Sequence, residues 1–161
     1  MAIIYSLNNV VKSRLVDGAG FRLLVPKVEI HEKEHIALVG HSGCGKSTLL
    51  DMLALALHPD EAESFTLSPV NDDLQDVNLL WKKKKQNALS KLRKCHIGYV
   101  LQQGGLLPYL TVRENIDLPR KLMNMPEDDS TRSIARVMDI HRQLDKLPGL
   151  LSAGERQRVA F

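Results

Sequence analysis

Apolar positions along this chain follow two different rhythms. Residues 3–11 (IIYSLNNVV) and 21–30 (FRLLVPKVEI) are short stretches rich in β-branched and aromatic side chains, separated by the turn-forming VDGAG. That pattern predicts two strands joined by a hairpin-type connection. Residues 36–39 (IALV) and 97–101 (IGYVL) are continuous apolar runs, which suit parallel strands covered on both faces. SFTL at 64–67 reads as one more short strand. Elsewhere the period lengthens to that of a helix. Residues 45–57 carry Leu49, Leu50, Met52, Leu53, Leu55 and Leu57, apolar almost all round, as in a helix buried in the middle of a protein; His58-Pro59 stops it. A polar stretch rich in Asp and Asn then leads to a helix expected over about 76–92. Another is expected after Thr111. A further one starts near Ser130, with Ile134, Val137, Met138 and Leu144 on roughly one face, and MPEDDS leading into it.

Composition narrows the class. With 161 residues, 43% hydrophobic and 25% charged, the chain is near average globular usage and long enough for one ordinary core. The longest apolar run, LLDMLALAL, is short and interrupted by Asp51, which is not the pattern of a membrane span. The first residues lack the charged start and cleavage site of a secretory signal. Two cysteines, Cys44 and Cys95, suggest a reducing cytoplasm instead of a disulfide framework. The net charge of +3 adds little.

The chemistry concentrates at residues 40–50, GHSGCGKSTLL, between the IALV run and the first helix. Residues 40–47 spell G-x-x-x-x-G-K-S, the phosphate-binding loop pattern, expected by chance in roughly one sequence in 250 of this length. Strand before and helix after are the context it needs. Gly40, Gly43 and Gly45 let the backbone fold into a nest of inward N–H groups, to which the helix adds its positive N-terminal end. Lys46 then reaches the β- and γ-phosphates, Ser47 ligates Mg²⁺, and His41, Ser42, Cys44 and Thr48 complete the loop around a nucleoside triphosphate.

Three other segments are less decisive alone. WKKKKQNALSKLRK holds seven basic residues between Lys82 and Lys94 and no acid. It reads as a solvated face or as a patch for nucleic acid or anionic lipid, with only Trp81 to offer stacking. The run at 97–101 ends in a Gln-Gln-Gly-Gly loop, after which Thr111 and Glu114 have capping-box spacing. Ser152 and Glu155 in LSAGERQR repeat that spacing, so the segment is either a plain helix start or an anion site.

Taken in order, GHSGCGKS, a strand ending in Gln102, LLPYLTVRENI and LSAGERQRVAF resemble the nucleotide-binding domain of an ATP-binding cassette (ABC) transporter, most nearly of the lipoprotein-release and macrolide-export type. The resemblance implies an α/β, P-loop NTPase (RecA-like) fold with a parallel-sheet core, an antiparallel N-terminal β-layer and a helical subdomain. The implied organisation is an ATP-binding core with β-subdomain at 1–105, a helical subdomain at 106–150, and the signature with the start of the next helix at 151–161. It identifies 40–47 as Walker A and Gln102 as the Q-loop glutamine that touches Mg²⁺ and couples to the membrane subunit. It places Ser152, Gly154 and Glu155 in the signature, where Ala153 replaces the usual glycine and Glu155 the usual glutamine. In the family each signature closes over ATP held by a second cassette in a head-to-tail dimer. The implied cofactors are ATP and Mg²⁺. The implied partners are that second cassette and a transmembrane permease, with no specific nucleic acid, and the implied location is the cytoplasmic face of a membrane. Tyr5 and Phe21 are the candidates to stack on adenine.

The Walker B aspartate, catalytic glutamate and switch histidine expected downstream of the signature are not in the sequence, so a cassette truncated after its signature is expected, one that binds ATP better than it hydrolyses it. The alternatives are a nucleotide-binding interaction module and another phosphate-loop enzyme such as a small-molecule kinase, which leaves Gln102 and LSAGE unexplained.

Overall fold

The computed structural model describes residues 2–16, 19–102, 104–126 and 128–161. The chain divides into two compact units, residues 1–97 and 98–161.

The first unit is built on an antiparallel sheet of order β2-β1-β3-β4, comprising β1 (Ile3–Val16), β2 (Ala19–His31), β3 (Ser64–Leu67) and β4 (Gln75–Asp76). The long hairpin pairs from Ile3↔His31 out to Val16↔Ala19. The strands run further than expected: Val16, Ala19 and Gly20 of the VDGAG stretch are paired within them, while Asp17 and Gly18 lie outside the described residues. Strand side chains normally alternate faces, yet Leu7 and Val10, three positions apart, are both fully buried. Asn9 makes this possible by taking a φ of 46°, a left-handed conformation that asparagine tolerates better than most residues. These residues join Val25, Phe65 and Leu67 in a core completed by Met52, Val77, Leu89 and Leu92 from three helices. The helices are α1 (Lys46–Leu53), α2 (Val77–Lys82) and α3 (Gln86–His96).

Three expectations need correction here. Residues 36–39 and 97–101 are not strands, and Val39 is 88% exposed. A buried parallel strand needs hydrogen-bonding neighbours, and among the described residues none pairs with either run. The first helix ends at Leu53 instead of about residue 57, because Leu55 turns left-handed at φ 54°. It is buried on one side only: Met52 is inaccessible while Leu50 is 44% exposed. The helix expected over 76–92 is two helices, broken where Lys84 adopts φ 52°. Lys82 and Lys85 would be unfavourable like-charged neighbours at i,i+3 in a continuous helix.

The second unit contains α4 (Val112–Leu122), α5 (Ser130–Val137) and α6 (Ala153–Ala160), with 3₁₀ turns at His141–Gln143 and Pro148–Leu150. Its core is Val112, Ala135, Ile140, Leu144, Leu151 and Val159. The apolar face drawn through Ile134, Val137, Met138 and Leu144 does not exist as such. Asp139 at φ 53° ends the helix before Leu144, and α5 buries Thr131 and Ala135 while Ile134 and Val137 face solvent. Buried Thr131 is satisfied by donating its hydroxyl proton to the Asp117 carboxylate of α4.

Candidate nucleotide-binding site

The loop from Gly40 to Gly45 owes its shape to three glycines with positive φ, at 150°, 82° and 104° for Gly40, Gly43 and Gly45. Two of them also lack room for a side chain. A Cβ on Gly40 would lie 2.8 Å from the Cys44 Sγ, and one on Gly45 would lie 3.0 Å from both Phe21 Cζ and Leu23 Cδ1. Gly45 is the N-cap of α1 and supplies no side-chain cap. The first N–H groups of that helix therefore remain free for an anion.

Lys46 is the first residue of α1, and its ammonium turns back into the loop. It donates to the carbonyls of Gly40 and His41, each at 2.8 Å, with Cys44 Sγ 3.7 Å away. No carboxylate pairs with it among the described residues, so its charge is not cancelled by any of them. His41, Ser42 and Ser47 are exposed, whereas Cys44 and Thr48 are half-buried. The arrangement is a cationic, main-chain-lined cradle whose closest glycines cannot carry a side chain, and it fits a polyphosphate. The Ser47 hydroxyl at its mouth fits a Mg²⁺ ligand.

The two aromatic candidates differ in placement. Tyr5 donates its hydroxyl proton to the Leu53 carbonyl at 3.0 Å, and burial pushes that phenol up to about 12. Phe21 has its ring edge against Gly45, beside the loop.

In the second unit, Gln102 is exposed at a turn closed by the Gly104 N–H on the Leu101 carbonyl at 2.8 Å. It lines a cleft with Ala153, Arg156 and Gln157. Gly104, at φ 83°, lies so close to α6 that a Cβ there would be 3.3 Å from the Arg156 carbonyl oxygen. The Gln102 turn and the helix carrying the LSAGE segment are thus packed together.

That segment is a helix start. Ser152 is the N-cap of α6 and its hydroxyl accepts from the Glu155 N–H at 3.2 Å, while the Glu155 carboxylate accepts from the Ser152 N–H at 2.7 Å. The second carboxylate oxygen accepts from Gln143 Nε2 at 2.8 Å. The Ser152 N–H bond, with those from the Ser152 side chain and Gln143, holds Glu155 below its ordinary range. The carboxylate is engaged by the cap, and the Ser152 hydroxyl is engaged with it, accepting from the Glu155 N–H and facing its carboxylate. Gln143 went unnoticed in the sequence because its partner lies twelve positions away, across a turn with no periodic signal.

Comparison with known proteins bears on the family. The family model described as "ABC transporter" matches residues 25–161. The uncharacterized ABC transporter ATP-binding protein YbbA of Escherichia coli K12 is 38% identical over 131 residues, covering 80% of this chain and 53% of that protein. The lipoprotein-releasing system ATP-binding protein LolD of Paramagnetospirillum magneticum is 35% identical over 137 residues, covering 83% and 56% respectively. The chain spans about half the length of these curated relatives. Among solved structures, the ATP-binding cassette MJ0796 in a dimeric post-hydrolysis state with ADP and phosphate has a TM-score of 0.79 at 29% identity, covering 98% of this chain and 67% of that one.

Proposed function

This chain belongs to the ABC transporter family, and from that premise we propose that it is the ATP-binding part of a transporter, holding Mg-ATP in residues 40–48 to power movement of a substrate through a membrane permease. The observation that carries the reading is the seat of Lys46: an uncancelled ammonium, fixed at the centre of a glycine cradle by two main-chain carbonyls at 2.8 Å. When a triphosphate enters, Lys46 exchanges those carbonyls for phosphate oxygens, and the free N–H groups opening α1 take the remaining charge. Mg²⁺, when bound, neutralises charge developing on the transferred phosphoryl group. Ser47 and Gln102 are the residues proposed to hold it.

Ser152 and Gly154 are assigned to the γ-phosphate of a second cassette, Ser152 being the exposed N-cap of α6. Glu155 enters this scheme as the clamp that shapes the N-terminus of α6, both of its oxygens being occupied. Phe21, beside Gly45, is the aromatic assigned to the adenine.

The test is a calorimetric titration of the chain with Mg-ATP. Lys46→Ala removes a charged donor worth about 1.5–3 kcal/mol, so affinity falls by about one to two orders of magnitude. Equal affinity of variant and wild type would overturn the assignment.

A further inference from the structure

The lysine-rich segment plays no part in the nucleotide site, and the fold gives it a definite presentation. The inward sides of its two helices are anchored: Val77 in α2 and Leu89 and Leu92 in α3 belong to the core. Arg93 is withdrawn from the surface, donating to the Leu55 carbonyl at 2.8 Å and to Ser90 Oγ at 3.1 Å. The other six cations, Lys82, Lys83, Lys84, Lys85, Lys91 and Lys94, are all exposed. None forms an ion pair with any described residue. Of the three acids in the preceding loop, Asp76 caps α2, Asp72 pairs with His96, and Asp73 forms no ion pair with any of these described lysines. Lys91 and Lys94, three apart, share the face of α3 opposite Leu89 and Leu92.

An uncompensated cluster of this density fits an anionic surface. The composition of its exposed face decides which. Lysines are non-directional point charges, unlike the planar forks that read bases. The single aromatic is not available for stacking, since Trp81 is half-buried with its Nε1 without a partner, and His58 packs edge-on against it with centroids 5.3 Å apart. Apolar side chains occur beside the cations instead. Leu79, 43% exposed, lies three residues before Lys82 and so on the same face of α2, and Leu74 ahead of the helix is 66% exposed. Aliphatic groups mixed with lysines suit the headgroup region of a bilayer, where the leucines enter the acyl boundary and the ammonium groups meet lipid phosphates.

We propose that the exposed face of α2 and α3, with the Lys83–Lys85 turn between them, docks on anionic phospholipid headgroups and holds this chain at a membrane surface independently of any protein partner.

The experiment is vesicle co-sedimentation of the chain with phosphatidylcholine containing about one-third phosphatidylglycerol and with phosphatidylcholine alone. Binding is expected to the anionic vesicles only, and to weaken as salt rises. A lysine close to such a surface is worth roughly fivefold in partitioning, so K82Q/K83Q/K84Q/K85Q reduces binding at least about tenfold while leaving Mg-ATP affinity unchanged. The four-fold Lys→Arg variant retains it, and K91Q/K94Q reproduces a smaller loss if the first variant folds poorly. Equal binding to neutral vesicles overturns the proposal. So does an equal loss from K27Q/K33Q, whose lysines already pair with Glu29 and Glu32. Tighter binding to duplex DNA than to anionic vesicles at equal phosphate concentration assigns the patch to nucleic acid and also overturns it.

Discussion

Glu155 shows how a single side chain sets the meaning of a whole motif. Seen in sequence, a carboxylate beside a phosphate-binding serine is an electrostatic contradiction. In the structure its oxygens face the Ser152 N–H and Gln143, so the charge remains but is used to shape the helix start. These bonds favour the ionised form and lower its pKa from the ordinary value of 4.5. A depressed folded-state pKa contributes stability at pH above the ordinary value and loses it as pH falls through the folded value. Glu155→Gln removes the titration. In urea melts, wild type is therefore more stable than Glu155→Gln at pH 7, and the gap closes as pH drops below about 4.5 toward 3. A gap independent of pH would show that the carboxylate is not held by these donors.

At the scale of elements, α4 depends on one polar side chain facing back toward the loop before it. Asn115 donates to the carbonyls of Leu107, Leu110 and Thr111 at 3.1, 3.1 and 2.9 Å, and its Oδ1 accepts from the Leu107 N–H at 2.7 Å. Asn115→Ala leaves these partly buried groups without partners, a loss of about 1–3 kcal/mol that a urea melt at neutral pH measures directly. Thr111 and Glu114, the capping box that starts the same helix, were legible in sequence because caps work at fixed short spacing. Asn115 was not, since a side chain closing a loop leaves no period. The same distinction runs through the fold. The hairpin and both helix starts are local patterns: the capping boxes are found where they were read, and the hairpin is found with strands longer than read. The ends of α1, α2 and α5 were misread because left-handed turns at Leu55, Lys84 and Asp139 cut patterns that continue across them. Positions 36–39 and 97–101 were misread because burial of an apolar run is decided by its neighbours and not by its composition.

For the whole molecule, those two runs carry a cost. Ile36, Leu38 and Val39 in one unit, and Val100 and Leu101 in the other, are exposed apolar side chains on backbone outside any strand. Exposed apolar side chains of this kind favour self-association. Val39→Lys places a charge where the wild-type side chain is 88% exposed. Sedimentation velocity should show less concentration-dependent self-association than wild type, with the thermal midpoint shifted by less than about 0.5 kcal/mol equivalent. Unchanged self-association would locate the sticky surface elsewhere. Gly104 has the opposite character, since there the packing leaves no slack. A Cβ would have only 3.3 Å to the Arg156 carbonyl oxygen, and the left-handed φ of 83° disfavours a side chain there as well. The close approach therefore reserves position 104 for glycine, and through it the Gln102 turn stays seated against the helix that Ser152 caps.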